Sequence, residues 1–102
     1  PILAIGGKGV ISVTANILPT KIVAMCKAAA KGNIKEAQSI HYELMDINDT
    51  LFIDTNPIPV KAALHFMGKI ESGIRAPLIG LSSNHIEKLK KVMVSHGLSV
   101  IK

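Results

Sequence analysis

Aromatic side chains are scarce in this chain: there is no tryptophan, and Tyr42, Phe52 and Phe66 are the whole complement. Arginine is scarcer still, Arg75 being the only guanidinium among twelve basic residues. Together these shortages argue against nucleic-acid recognition in spite of a net charge of +5, because bases are read by guanidinium forks and stacked on aromatic faces. The lysines are also dispersed, and the densest group, Lys88, Lys90 and Lys91, shares a helical pattern with Glu87, which reads as a solvated face. A single cysteine, Cys26, excludes an internal disulfide framework and fits a reducing compartment. It lies on the apolar stripe of its helix and away from a helix N-terminus, where thiols become reactive, so it is not a candidate nucleophile. No apolar run approaches the ~18 residues of a membrane span. Residues 1–5 are too short for the apolar region of a signal peptide and have no basic flank before them. A cytoplasmic protein with no membrane partner is expected.

Metal and phosphate chemistry are also poorly represented. His41, His65, His85 and His96 fall on three separate helical segments, with no H-E-x-x-H and no cysteine at zinc spacing, so no metal site is expected. Gly6, Gly7 and Gly9 match neither phosphate-binding glycine pattern, and the β-branched run follows them instead of preceding them. They read as a turn, with Lys8 as its solvent-facing residue.

What the sequence does contain is a short β-branched run, residues 10–14, apolar on both faces in the manner of a buried parallel strand. Helical patterns follow. Pro19 suits a first turn, Ile22, Cys26 and Ala29 recur at helical spacing, and Gly32 supplies a stop, giving a helix over 20–31. Asn33 with Glu36 forms a capping box for a second helix over 34–48, with the stripe Ala37, Ile40, Leu44, Ile47 and Leu51. Asn56, held extended by Pro57, precedes a third helix with Val60, Ala63, Leu64 and Met67 on one face and Gly68 at its end. Residues 69–83 have no sustained period and read as a long loop. A last helix starts at Ser83–Asn84, with Asn84 and Glu87 as a capping pair, Ile86, Leu89 and Met93 as its stripe and Gly97 as its stop. Leu98, Val100 and Ile101 form an apolar tail.

Two motifs carry a family resemblance. GGKGVISVTAN at residues 6–16, followed by two helices and then NPIPVKAAL at residues 56–64, resembles the C-terminal part of the dihydrodipicolinate synthase family. The resemblance runs from Leu3 to Leu98. It implies a mostly α fragment: the last strand and helix of a TIM (β/α)8 barrel over 1–32, then a three-helix C-terminal appendage over 33–102. A full barrel takes ~250 residues, so a chain of 102 that opens on Pro1 is expected to be a piece of a longer protein, with the remainder of the barrel as a partner.

The same resemblance implies a pyruvate-dependent lyase of the Schiff-base type that condenses pyruvate with aspartate semialdehyde in the diaminopimelate route to lysine. The imine lysine and tyrosine relay belong to the missing part, so no catalytic residue is expected here and the isolated fragment is expected to be inactive. Enamine chemistry uses the lysine as its own electron sink, so no cofactor is implied. A homotetramer is implied as the assembly. Ile11, in GVISV, corresponds to a position beside bound pyruvate, where an apolar wall would exclude water and favour the neutral amine; ordinary barrel core is the alternative. Ser12, Thr14 and Asn16 are candidate hydrogen-bond donors around it, or else serve the local backbone. Lys61, inside NPIPVK, belongs to a helix of the appendage and reads as a capping or interface residue. The rival readings are a sialic-acid lyase or keto-deoxy-sugar aldolase of the same superfamily, whose motifs differ, and a stand-alone basic helical interaction module.

Overall fold

The computed structural model describes residues 1–101. Five α-helices follow one another: α1 (Pro19–Ala30), α2 (Ile34–Glu43), α3 (Met45–Leu51), α4 (Ile58–Phe66) and α5 (Ser83–Ser95), with short 3-10 turns at Leu3–Ile5 and Thr14–Asn16. The chain divides into two compact units, Pro1–Met45 and the residues from Asp46 onward.

In the first unit α1 packs on α2 and on both 3-10 turns. Pro19 begins α1, where its missing N–H is one the helix would leave unpaired in any case. Gly32, at φ +77°, ends it. The Gly32 and Asn33 N–H groups turn back to the carbonyls of Ala29 and Ala28 at 3.0 and 2.9 Å, satisfying two of the helix's free acceptors. The same closure recurs at Gly68 and Gly97, which also have positive φ. Asn33 caps α2 as expected: its side-chain oxygen accepts from the Glu36 N–H, and its amide donates to the Glu36 carboxylate at 2.7 Å. Thr14, Ile17, Ile22, Ala28, Ala37 and Leu44 are buried in this unit. The stripe expected on α1 is therefore turned: Ile22 is buried with Ala28, while Cys26 and Ala29 are half-buried.

In the second unit α4 packs on α5. Ile47, Leu51, Ile58, Val60, Ala63, Leu89 and Met93 are its buried apolar residues. Lys90 Nζ lies 4.5 Å from the centre of the Phe66 ring, adding a cation–π contact between these helices. The apolar tail is docked through the Ile101 N–H, which donates to the Phe66 carbonyl at 2.7 Å. Residues 69–81 run without helix or strand between α4 and α5, as the lost periodicity predicts. Among the described residues no helix is long and apolar enough to cross a membrane.

Three expectations need correcting. The helix expected over 34–48 is broken at Leu44, so four helices follow Asn33 instead of three. The Asp46 carboxylate takes the Ile47 N–H at 2.7 Å, competing with the carbonyl one turn back that a continuous helix would use. The apolar phase survives the break, since Leu44, Ile47 and Leu51 are all buried. Next, α5 is capped by Ser82 and not Asn84: the Ser82 hydroxyl accepts from the His85 N–H, and the Ser82 carbonyl accepts from Ile86. Last, the run expected as a strand over 10–13 forms no ladder, and no strand occurs among the described residues. A strand is defined by its pairing, and this run has no partner strand among the described residues.

Candidate functional site

The region to which the motifs point is the segment between the two 3-10 turns. The Leu3–Ile5 turn ends at Gly6, whose φ of 99° reverses the chain, and the Gly7 N–H then donates to the Ile2 carbonyl at 2.9 Å. A Cβ on Gly7 would run into the Ile2 side chain and carbonyl oxygen, so glycine is required there by close approach. Lys8 is exposed. Together with Leu3, Gly6, Gly7, Cys26, Ala29 and Ala30 it borders a cavity of about 180 Å³. This is turn chemistry, in agreement with the sequence.

Val10 is half exposed, and Ile11 projects fully into solvent in this chain. Residues 7–12 form neither helix nor strand, and at Val13 φ and ψ of −58° and −42° are helical. From there a tight reversal leads to α1. The Asn16 N–H donates to Val13 O at 3.1 Å, Ile17 N–H to Thr14 O at 3.1 Å and Leu18 N–H to Thr14 O at 2.9 Å. The Asn16 side-chain amide also donates to Val13 O, at 2.9 Å. Thr14 and Ile17, 2% and 3% exposed, root the reversal in the unit. Thus Ile11, Thr14 and Asn16 are gathered on one short segment, with Asn16 serving the local backbone.

The other residues singled out by sequence stand elsewhere in the chain. Lys61 is half-buried in the first turn of α4, and its N–H donates to the Pro57 carbonyl. His65 Nδ1 lies 3.2 Å from Ile70 O, and His85 Nδ1 is 3.6 Å from Asp54 Oδ2, beyond hydrogen-bond reach. No group of three or more His, Cys, Asp or Glu side chains could hold a metal ion among the described residues. The sequence reading missed one polar constellation. Asp46 Oδ1, at the start of α3, meets His96 Nε2, at the end of α5, at 2.7 Å. Burial pushes the Asp46 carboxyl up, but the His96 hydrogen bond, the Ile47 N–H and the His96 charge together bring it below its ordinary value. The fifty-residue separation of that pair left no local signal to find it by.

Sequence comparison decides the family. The pattern of the dihydrodipicolinate synthetase family matches residues 1–96. The chain belongs to that family. The 4-hydroxy-tetrahydrodipicolinate synthase of a Sulfurihydrogenibium species is 50% identical over 99 residues, covering 96% of this chain and 34% of its own length. The crystal structure of the Aquifex aeolicus dihydrodipicolinate synthase superposes with a TM-score of 0.97 at 40% identity, covering 100% of this chain and 35% of that one. A chloride-inhibited dihydrodipicolinate synthase from Acinetobacter baumannii, in complex with pyruvate, superposes with a TM-score of 0.90 at 38% identity, over 94% of this chain and 33% of that one. This chain therefore spans about a third of the length of the synthases it matches. Its helical fold is consistent with a C-terminal piece of a dihydrodipicolinate synthase barrel.

Proposed function

We propose that this chain is the C-terminal part of a pyruvate-dependent Schiff-base lyase that condenses pyruvate with aspartate semialdehyde. The observation that carries the reading is the family match over residues 1–96 joined to a near-complete superposition on synthases of that family. In the reaction a lysine amine adds to the pyruvate carbonyl and expels water to give an imine. Loss of a methyl proton yields the enamine, whose carbon attacks the aldehyde. The amine of the semialdehyde then closes the ring and releases the lysine. The nucleophilic lysine belongs to the part of the lyase outside this chain, as does the proton relay. Lys61, on a helix, is not that nucleophile.

Within this scheme residues 1–32 supply the closing strand and helix of the barrel, and 33–102 the helical appendage. The run over 10–13 pairs with neighbouring strands of the longer protein. Ile11, fully exposed here, is covered there and forms an apolar wall beside the imine, excluding water and disfavouring the ammonium form of the lysine. The lyase is a cytoplasmic homotetramer. Borohydride trapping of the full-length lyase with pyruvate, followed by peptide mapping, tests the assignment. The expected adduct maps to a lysine outside these 102 residues, and an adduct on Lys61 or any other lysine of this chain would refute it.

A further inference from the structure

The reversal after Val13 is held on its two sides by different means. On the far side, Thr14 and Ile17 are buried and the Thr14 carbonyl accepts two N–H groups. At the start of the reversal, two residues after Ile11 in sequence, the Val13 carbonyl receives two donors from one residue: the Asn16 N–H at 3.1 Å and the Asn16 side-chain amide at 2.9 Å. A carbonyl oxygen has two lone pairs, so both acceptor sites of Val13 are filled. Because a carbonyl only accepts, the amide nitrogen and not the amide oxygen of Asn16 must face it.

The doubly occupied carbonyl cannot also take part in a ladder. The Ser12 carbonyl is itself engaged by the reversal, accepting the Ala15 N–H at 3.2 Å, so it keeps one lone pair and is the last carbonyl of the run over 10–13 that can accept a strand bond. Asn16 itself is exposed, so its side chain contributes through this bond and not through packing. The chemistry is selective. Alanine offers no donor, and aspartate would set an anionic acceptor against the carbonyl. Serine can reach back three residues to a carbonyl, as Ser95 does to Val92 at 2.7 Å in this chain.

We propose that Asn16 is a positioning residue for the pyruvate pocket: by closing the Val13 carbonyl it fixes where the segment open to strand pairing ends, and so how Ile11 is presented. The inference rests on the reading of Ile11 as the pocket wall. It gives Asn16 a kinetic role without contact with the substrate.

Steady-state kinetics of the full-length lyase with pyruvate as the varied substrate, on Ile11→Ala, Asn16→Ala, Asn16→Asp and Asn16→Ser, tests it. Asn16→Ala should raise the pyruvate KM by about two- to tenfold, the span that one neutral hydrogen bond can account for. Asn16→Asp should raise it at least as much, and Asn16→Ser should return it towards the parent value. If Asn16→Ala lowers kcat through a smaller folded fraction and leaves KM unchanged, the residue is structural and the proposal fails. If Ile11→Ala raises the pyruvate KM while Asn16→Ala and Asn16→Asp do not, the pocket wall stands and the positioning role is overturned. If Ile11→Ala leaves the pyruvate parameters unchanged, the wall itself is refuted, and the role of Asn16 falls with it.

Discussion

Asp46 joins two helix ends that lie fifty residues apart in sequence, and replacing it gives the sharpest test of what holds the second unit together. Its Oδ1 accepts from the Ile47 N–H and from His96 Nε2, each at 2.7 Å. An ionised carboxylate only accepts, so the Nε2 atom of His96 carries the proton. The two partners differ in exposure: the His96 side chain is 8% exposed and that of Asp46 57%. In Asp46→Ala the nearly buried Nε2–H loses its acceptor, a loss that costs about 1–3 kcal/mol for a buried donor. Water on the open Asp46 side can partly replace the carboxylate, which sets the expectation at the low end, about 1 kcal/mol, or roughly fivefold in the protection of the last α5 amides. Asp46→Asn keeps an acceptor oxygen and should lose less. The folded pKa of Asp46 lies below its unfolded value, so the stability it adds is fully present above about pH 3.9 and is lost as pH falls through the folded pKa. The gap between parent and Asp46→Asn should close over that acid window. Native-state hydrogen exchange on the full-length protein, with His96→Ala and the double variant completing a cycle, measures both quantities. Costs of Asp46→Ala and His96→Ala that add to within about 0.3 kcal/mol, or a gap unchanged by acid, would refute the clasp.

Two backbone predictions follow from local geometry. Gly32 has φ +77°, and a methyl group placed on its Cα would meet nothing within 4 Å, so Gly32→Ala should cost about 1–2 kcal/mol through left-handed strain alone, read as a lower unfolding midpoint. Gly80→Ala, with open space and no positive φ, should stay within about 0.5 kcal/mol of the parent. At the start of α5, Ser82→Ala should lower stability by about 0.5 kcal/mol, the weak end of capping effects because its hydrogen bond is 3.4 Å long. Asn84→Ala should be nearly neutral, and hydrogen exchange of the His85 and Ile86 amides would expose the reverse order.

The helices were legible because their signals are local. Asn33 and Glu36 sit three residues apart, and Asn33 does cap the Glu36 N–H while its own side-chain amide donates to the Glu36 carboxylate; Pro19 starts α1, and Gly32, Gly68 and Gly97 all close helices with positive φ. The breaks were harder to read. Ser82, Ser83 and Asn84 are three capping residues in a row, and sequence alone does not choose among them, whereas Ser82 takes the β-region backbone that a cap requires. The interruption at Leu44 hides inside an unbroken apolar stripe. It shows only in the competition of the Asp46 carboxylate for the Ile47 N–H, and Asp46 is itself held by a histidine that no local window contains.

The segment around Ile11 shows the opposite limit. Its β-branched residues state a preference for extended backbone, but a strand exists only through a neighbour. With no partner strand among the described residues, Val10 and Ile11 lie open to solvent, while the reversal at Thr14–Asn16, closed by bonds between residues three and four apart, is fully formed. The divided outcome has a consequence for the pocket. The feature that ends the segment is built from this chain's own residues, and on the function proposed above the surfaces that would align Ile11 belong to the rest of the barrel. A substitution at Asn16 should therefore act on the segment before assembly as well as after it. Replacement of a neighbouring barrel strand should disturb Ile11 while leaving the hydrogen bonds onto Val13 in place.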